Sequence, residues 1–546
     1  MRLIGPVALT LVSIVFTMAV SPVRSAERVQ ITLLSTTDLH GHIYPIDYAT
    51  NLPSADGFAK IATLIRDVRK ESPQLVLVDC GDTIQGTPLA YYHNRVNNTP
   101  PDPMMVVMNA LGFDALVVGN HEFNFGLAVL NKARSEARFP WLSANTERIA
   151  DRQPAFAPYL VKEVKGVKIG ILGLTTPGIP SWENEGNYAG LRFQDPVEVA
   201  RRRVAELRNQ EKVDVVLLAL HMGLEENLAT GVPSPGQVPN ENAALKIVRS
   251  VPGIDVMFMG HTHRTIPGLT VGGALLSQAG RWGDHLSRAD VYLERATSGE
   301  RWQIVAKTSS SIPVTKDTPP DPEVLALAKP YHDETQAWLS KPVGQSARAL
   351  SAANSRLEDT AIVDLVQRVQ MEAGKADVSF AASFTLDARL PKGPVTLREI
   401  AGLYIYDNTL VVVELAGEQI KAALEHSARY FRPYEKGKTA AELVDSAIPG
   451  YNFDLAEGVD YTIDLTRPVG DRIVGLSYRG SPLAPDKKLR VAINNYRLNG
   501  GGGYSMFRGV PVLDRSSLEI RDLIVDWVQK HPDIPSEPTQ NWRLVW

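Results

Sequence analysis

Acidic, amide and imidazole side chains follow five short apolar runs in this sequence, the first at residues 29–34 and the last at 256–259. The polar residues that follow these runs are Asp38, His40, Asp82, Asn120, His121, His221, His261 and His263. Carboxylate, amide and imidazole groups together bind borderline divalent ions such as Mn²⁺, Zn²⁺, Co²⁺ or Fe²⁺. The sequence therefore predicts a metal centre without thiolate ligands.

This set of ligands is large enough for two ions, which dinuclear centres hold about 3.5–4 Å apart. Such a pair clamps a phosphate group and activates water at neutral pH. One carboxylate has to bridge the ions, and Asp82 is the best candidate because it has no neighbouring ligand and follows Gly81 in a turn. Taken alone, His221 is typical of a packed histidine and Asp38 of a helix cap. Their joint order, each after an apolar run, favours the metal centre.

The apolar runs are short and rich in β-branched residues, which predicts buried parallel strands. Between and after them lie three helical patterns, at residues 57–71, 103–112 and 195–209. Strands that alternate with helices predict a mostly parallel sheet with helices on its faces. Because open α/β sheets bind ligands at the carboxyl ends of their strands, we expect all the candidate ligands to project from one edge of one sheet.

The chain has 546 residues, more than the roughly 250–300 that one hydrophobic core accommodates. We expect an α/β catalytic domain at residues 28–317, a helical linker at 318–340 and a mixed α+β substrate-binding domain at 341–546. The proline-rich stretch 318–322 marks the change. In the last domain the pattern predicts helices at 357–373 and 417–428, and strands at 377–381, 409–415, 459–464, 472–478 and 489–494.

Residues 1–25 combine Arg2 with an apolar run at 3–20 and end in Val23-Arg24-Ser25, a pattern typical of a secretory signal peptide. The alternative is an uncleaved anchor, because the run is almost long enough to span a bilayer. After removal of this signal we expect no stable membrane insertion. The single cysteine, Cys80, allows no internal disulfide, and export without disulfides favours a bacterial periplasmic or secreted protein.

The composition and the net charge of the chain indicate its broad class of protein. A hydrophobic content of 44% and a charged content of 22% are ordinary for a globular protein. Removing residues 1–25 takes away two arginines and no acidic residue, so the net charge changes from −4 to −6. A nucleic-acid scaffold is disfavoured by this charge.

The motifs, taken in their order along the chain, resemble those of a known family. Asp-x-His, Gly-Asp, Gly-Asn-His-Glu, His and Gly-His-x-His, in this order, resemble the calcineurin-like metallophosphatases. The motifs at residues 79–87 and 120–126 are similar to those of the secreted 5′-nucleotidase and 2′,3′-cyclic phosphodiesterase family. This resemblance extends over nearly the whole chain after the signal peptide. It implies that Asp38, His40, Asp82 and His263 hold one ion, and that Asp82, Asn120, His221 and His261 hold the other.

The resemblance also implies that His121 is not a ligand. The matching histidine of the family contacts the phosphate and stabilises the transition state or protonates the leaving group. Many 5′-nucleotidases have aspartate where this chain has Asn124, which accepts a hydrogen bond but adds no charge. Asn124, together with the absence of the glycine-rich, arginine-containing motif at residues 381–384, resembles the branch that cleaves 2′,3′-cyclic nucleotides and then 3′-nucleotides.

For the substrate, the resemblance implies that Tyr406 and Tyr504 sandwich the nucleobase and that Asn408 hydrogen-bonds to it. We therefore expect a monomeric periplasmic enzyme of nucleotide salvage that uses two divalent ions to hydrolyse nucleoside 2′,3′-cyclic phosphates and 3′-nucleotides. One alternative is a 5′-nucleotidase that acts on nucleoside mono- to triphosphates. Another is a nucleotide-binding receptor without turnover, although a receptor has no need of so many aligned ligands. A sulfur-oxidation hydrolase of the same fold is more distant, because the paired tyrosines favour a nucleoside.

Overall fold

The computed structural model describes residues 26–227, 231–232, 238–297, 299–406 and 408–546. The signal peptide that the sequence predicts at residues 1–25 lies outside these ranges. Among the helices of the described residues, none has the length and apolar character needed to cross a bilayer.

The first half of the chain contains two six-stranded sheets. In the first sheet the strands lie in the order Gln303–Pro313, His285–Arg295, Glu27–Thr36, Val76–Asp79, Ala115–Val117 and Trp141–Leu142. In the second sheet the order is Thr265–Val271, Ala274–Ala279, Val256–Met259, Val215–His221, Val167–Thr175 and Tyr159–Val164. The central strands of each sheet are parallel, and the outer strands are partly antiparallel.

The prediction of a single sheet is wrong, because three of the five strands that precede the candidate ligands lie in the first sheet and two lie in the second. The sheets pack face to face, and one apolar cluster joins Ile31 and Val78 of the first sheet to Ile171 and Phe258 of the second. Leu34, which directly follows Leu33 of that cluster in the same strand, faces the opposite side. Strands covered on both faces need apolar side chains on both, which explains their continuous apolar runs.

Helices cover the outer faces of both sheets, as predicted. Phe58–Glu71 and Pro103–Leu111 pack on the first sheet, and Pro196–Asn209 and Ala244–Ser250 pack on the second. The other helices of this half are Pro88–Tyr91, Gly126–Glu136 and Ile179–Trp182. The domain is thus a four-layer sandwich with the candidate ligands at the carboxyl ends of its central strands.

A helix at Pro322–Leu339 connects the two halves. The carboxylate of Asp321 caps it by accepting hydrogen bonds from the backbone N–H groups of Glu323 and Val324. Val324 and Ala328 of this helix are buried in the core of the first domain. The linker is therefore docked on the four-layer sandwich rather than standing free in solvent.

The second half is a mixed α+β domain, as predicted. Its main sheet has the strand order Asp454–Glu457, Val378–Ala382, Lys488–Asn494, Thr409–Ala416 and Val512–Glu519, and a smaller sheet has the order Ser481–Pro482, Ile473–Tyr478, Asp460–Asp464 and Trp542–Val545. Its helices are Ala361–Gly374, Leu397–Leu403, Gly417–Ser427, Asn495–Leu498 and Ile520–Lys530. The first helix begins four residues later than predicted, because Leu357 belongs to the preceding turn.

Candidate metal centre

Each candidate ligand lies at the end of a strand or in the turn that follows it, and most of these turns have an unusual backbone. Of the 14 non-glycine residues with positive φ in the described ranges, five are candidate ligands: Asp38, His40, Asp82, His261 and His263, with φ between 47° and 71°. Residues other than glycine, asparagine and aspartate seldom adopt this left-handed conformation. Strained backbone of this kind clusters at functional sites, where the surrounding structure enforces it.

Backbone hydrogen bonds hold two of these turns together. The N–H groups of Asp38 and His40 donate to the carbonyl oxygens of Gly81 and Asp82, each at 2.9 Å. Two glycines permit the close approach, because a Cβ on Gly119 would lie 2.3 Å from Asp82 Oδ1 and one on Gly260 would lie 2.3 Å from Thr37 Oγ1. The glycines of the Gly-Asn-His and Gly-His motifs are therefore required by packing around the ligands.

The first group of ligand atoms consists of Asp38, His40 and His263. His263 Nε2 lies 3.3 Å from Asp38 Oδ1 and 3.2 Å from His40 Nε2. Two neutral imidazole nitrogens that both present lone pairs to one point repel each other unless a cation or a proton lies between them. The other nitrogen of His40 lies 3.1 Å from the backbone carbonyl of Gln85, which orients the ring.

The second group consists of Asp82, His221 and His261. His221 Nε2 lies 3.0 Å from Asp82 Oδ2 and 3.0 Å from Asn120 Oδ1. Asp82 Oδ2 is also 3.9 Å from His40 Nε2 of the first group. Asp82 thus lies between the groups, in the position that a bridging carboxylate requires.

The charges of the centre favour a bound cation. Burial alone would lower the pKa of His221, but the carboxylates of Asp82 and Asp38 raise it to about 10. Buried carboxylates of this kind are normally paired or coordinate a metal. In the described part of the chain, three such ligand atoms approach within 4.8 Å of one another at two places, both in this centre. The donor set therefore fits two divalent ions.

His261 has a partner that the sequence analysis missed. Its Nε2 lies 3.0 Å from a carboxylate oxygen of Glu241, so its Nδ1 is left to face the centre. A carboxylate on the outer nitrogen of a ligating histidine fixes the ring and its tautomer. Glu241 lies in a loop and follows no apolar run, so no local pattern marks it.

His121 lies beside the second group but makes different contacts. Its backbone N–H donates to Asp82 Oδ1 at 2.8 Å, and its Nε2 is 4.0 Å from Asp82 Oδ2. Its Nδ1 lies 2.6 Å from Asn124 Oδ1. The side chain of His121 is 36% exposed, whereas that of His221 is fully buried. His121 is therefore accessible to a bound molecule while Asn124 holds the far side of its ring.

The structure contradicts the prediction for Tyr504. This residue is 0% exposed; its ring stacks on Phe507, and its hydroxyl lies within hydrogen-bonding distance of Ser427 and of the Asn452 carbonyl. A ring enclosed in this way cannot offer a face to a ligand. The predicted partner Tyr406 is 40% exposed, which fits a contact with substrate.

Tyr496, unlike Tyr504, presents its ring to solvent. It is 41% exposed, on the short helix that directly follows the strand Lys488–Asn494. Tyr451, 38% exposed, lies beside Tyr406 with 6.4 Å between ring centroids. Burial raises the pKa of Tyr406, and Tyr451 and Tyr496 raise it further, so the three exposed tyrosines form a group, which we call the aromatic face. Asn408 lies behind this face, where its side-chain amide approaches the hydroxyl of buried Tyr404 at 3.5 Å.

Arg281 connects the aromatic face to the metal centre. Its Nη1 lies 3.4 Å from Nδ1 of His263. Burial raises the pKa of Tyr406, and the charge of Arg281 opposes that shift, so the guanidinium lies close to both groups. Arg281 therefore lies between the candidate ligand His263 and the exposed tyrosines of the second domain.

Two protein families match the chain. The calcineurin-like phosphoesterase family matches residues 31–265, and the family described as 5′-nucleotidase, C-terminal domain, matches residues 342–509. The two matches lie on either side of the linker helix.

Individual relatives cover most of the chain. A 2′,3′-cyclic-nucleotide 2′-phosphodiesterase/3′-nucleotidase of Haemophilus influenzae is 30% identical over 95% of this chain and 88% of its own length. A trifunctional nucleotide phosphoesterase protein of Bacillus subtilis is 28% identical over 95% of this chain, which spans 39% of that relative's length. A crystal structure from Staphylococcus aureus, assigned provisionally as a 5′-nucleotidase, has a TM-score of 0.80 and 25% identity, with 95% of this chain and 100% of that chain covered.

Proposed function

The chain belongs to the family of 5′-nucleotidases and 2′,3′-cyclic-nucleotide 2′-phosphodiesterase/3′-nucleotidases, and we propose that it hydrolyses nucleoside 2′,3′-cyclic phosphates and 3′-nucleotides. The motifs predict this family, and the family matches and the relative at 30% identity confirm it. The fold class is confirmed as well. The domain boundaries and the role of each site residue remain predictions.

One observation carries the proposal. Two groups of candidate metal ligands meet at Asp82, and His121 lies beside them with an exposed side chain. Calcineurin-like phosphoesterases use divalent metals, and ions bound here would supply Lewis acidity toward a phosphoryl oxygen and activation of water. We propose Mn²⁺ or Co²⁺ as the ions to test first.

The residues of the chain bind and orient the substrate. Tyr406 and Tyr496 stack on the nucleobase, which places the phosphate at the centre beside His121. Addition of water to phosphorus breaks the bond to O2′ and yields a 3′-nucleotide. A second water releases inorganic phosphate and the nucleoside. In each step the imidazolium form of His121 gives the proton on Nε2, the nitrogen that faces Asp82, to the departing ribose oxygen and keeps the hydrogen on Nδ1.

A 5′-nucleotidase is the second candidate, and the structural likeness at a TM-score of 0.80 favours it. Phosphate release from 2′,3′-cyclic AMP, 3′-AMP, 5′-AMP and bis(p-nitrophenyl) phosphate, with Mn²⁺ or Co²⁺, separates the candidates. We expect turnover of the first two nucleotides. Turnover of 5′-AMP alone would assign the 5′-nucleotidase function, and binding without turnover of any member would assign a receptor.

The aromatic face is tested separately. Base stacking contributes about 1–3 kcal/mol, so Tyr496→Ala should raise KM for 3′-AMP by roughly tenfold while the inhibition constant of inorganic phosphate stays unchanged. Tyr504→Phe is the matched control, because it removes only a hydroxyl in the interior. An unchanged KM in Tyr496→Ala would exclude Tyr496 from the base site.

We propose a periplasmic or secreted location and a monomeric state. The apolar run at residues 3–20 supports the location. Cell fractionation tests the location, and sedimentation of the purified protein tests the monomeric state.

A further inference from the structure

Behind His121, a line of polar side chains leads away from the candidate metal centre. His121 Nδ1 lies 2.6 Å from Asn124 Oδ1, and the Nδ2 of Asn124 donates to Oε1 of Glu183. The second carboxylate oxygen of Glu183 accepts a hydrogen bond from Asn187 Nδ2 at 2.8 Å. His121 is thus connected to a carboxylate through an intervening amide.

The chemistry of these groups fixes the direction of every hydrogen bond. An ionised carboxylate only accepts, so the amide nitrogen of Asn124 must face Glu183 and its oxygen must face the histidine. An amide oxygen also only accepts, so the Nδ1 of His121 must carry a hydrogen. The other ring nitrogen, Nε2, is then the one that faces Asp82. The ring is held in one orientation and one tautomer.

We propose that Glu183 is a positioning residue that sets the orientation and tautomer of His121 through Asn124. Asn124 alone could not do so, because a side-chain amide can rotate by half a turn and offer its N–H group instead. Glu183 removes that freedom. The inference rests on the proposed phosphoester hydrolysis, in which His121 acts from Nε2.

The surroundings of Glu183 suit this role. Burial raises its pKa, and the hydrogen bonds from Asn187 and Asn124 together with the charges of His121 and Arg95 oppose the shift. Arg95 itself donates to the backbone carbonyl of Asn124 at 3.0 Å, which steadies the intervening residue. Donors from several elements therefore hold both the carboxylate and the amide.

The substrate-binding domain holds the segment that carries Glu183. The short helix Ile179–Trp182 ends one residue before it. Asn495 Nδ2 donates to the carbonyl of Trp182 at 2.8 Å, and Asn499 Nδ2 donates to the carbonyl of Ser181. Both asparagines flank Tyr496 of the aromatic face. The position of Glu183 thus depends on contacts made beside the proposed base site.

Kinetics of three variants test the proposal. Glu183→Leu should lower kcat for 3′-AMP by roughly 10- to 100-fold with little change in KM, because the base and phosphate contacts remain. Asn124→Asp should also lower kcat, since it places two carboxylates next to each other. In Asn124→Asp/Glu183→Gln the carboxylate and the amide are exchanged, and kcat should recover at least tenfold over Asn124→Asp. A purely structural Glu183 predicts no such recovery, and its absence would overturn the proposal.

Epistasis with His121 is the second kinetic test. If Glu183 acts through the ring, Glu183→Leu should have no further effect on kcat in a His121→Ala background. If Glu183→Leu lowers kcat in the His121→Ala background as much as it does in the wild type, Glu183 does not act through His121. Because His121→Ala retains residual turnover only if the enzyme is a hydrolase, this test depends on the proposed function.

A spectroscopic measurement does not depend on turnover. In the full chain labelled with ¹⁵N-histidine and loaded with diamagnetic Zn²⁺, the shifts and N–H couplings of His121 report which nitrogen is protonated, and His121→Gln assigns the signal. We expect Nδ1–H in the wild type and a mixture of tautomers in Glu183→Leu. An unchanged tautomer in Glu183→Leu would overturn the proposal even if the protein were inactive on every phosphoester.

Discussion

A cluster that contains carboxylates lies in each domain, and the two clusters differ in which side chains face the carboxylates. In the catalytic domain, Asp82 lies against the imidazoles of His221 and His40. Although burial opposes its ionisation, His221 and His121 outweigh that effect and hold the pKa of Asp82 well below its usual range. The centre thus keeps its carboxylate ionised and available to a metal ion.

In the second domain, three carboxylates share a single hydroxyl. Thr539 Oγ1 lies 2.9 Å from Glu457 Oε2 and 3.4 Å from both Asp364 Oδ2 and Asp359 Oδ2. Burial, followed by the charge of Asp359, raises the pKa of Asp364 to about 8. This cluster therefore holds a proton at neutral pH. Converging imidazoles, rather than a high density of acidic residues, therefore distinguish the candidate metal centre from this cluster.

Replacing one aspartate by asparagine should reduce metal binding and abolish activity in the first cluster and leave both unchanged in the second. This is the largest effect expected. Asp82→Asn removes the proposed bridge, so bound metal should fall below two ions per chain and phosphate release should fall to background. Asp364→Asn is the matched control and should leave both unchanged. Metal analysis together with the phosphate assay measures the pair. Retention of two ions in Asp82→Asn would place the bridge on another residue.

His121 lies beside the candidate metal centre but is not one of its proposed ligands. His121→Ala should lower kcat by about 10²–10⁴-fold while two ions remain bound. Metal content and steady-state kinetics on one preparation provide the measurement. Loss of an ion in this variant would make His121 a ligand and its proposed role wrong.

Glu241 tests whether an acid outside the centre serves it. Glu241→Gln should weaken binding of one of the two ions by roughly 10- to 100-fold, since the amide holds His261 less firmly. Competition with a chelator measures the affinity. The control is Glu225→Gln, which changes an acid of the same loop region that contacts the backbone N–H groups of Leu245 and Lys246 instead.

The carboxylate cluster around Thr539 should affect the pH dependence of thermal stability. This is the smallest effect expected. Asp364 holds its proton up to about pH 8 in the folded state, above its ordinary value of 3.8. The folded state thus binds more protons than the unfolded state between these limits, so stability falls as pH rises through that window. Asp364→Asn removes this dependence, and its Tm relative to the wild type should rise by roughly 2–4 °C between pH 5 and pH 9. A constant difference in calorimetry would contradict the shifted pKa.

The sequence predicted the positions of the site residues better than their three-dimensional arrangement. Apolar runs followed by polar residues located the turns that carry Asp38, Asp82 and His263, because a strand end is a local feature. The assignment of all the strands to one sheet failed. Pairing between strands that are distant in sequence depends on packing, and nothing in a single run indicates which sheet it will enter.

The residues that were missed share one property: their roles depend on distant parts of the chain. Glu183 and Glu241 lie in loops without periodic patterns, and only the folded structure brings them to His121 and His261. Tyr496 and Tyr504 lie eight residues apart near one glycine-rich loop, and tertiary packing alone determines that the first is exposed and the second buried.

The left-handed backbone at five candidate ligands limits how this protein can be stabilised. Each such residue costs roughly 1–2 kcal/mol, so together they approach the whole stability of a typical domain, about 5–15 kcal/mol. Glycine at any of them would relieve that cost and delete a ligand. Engineering or selection for heat resistance must therefore act elsewhere in the sandwich, and a variant that gains stability at these turns is expected to lose its metal.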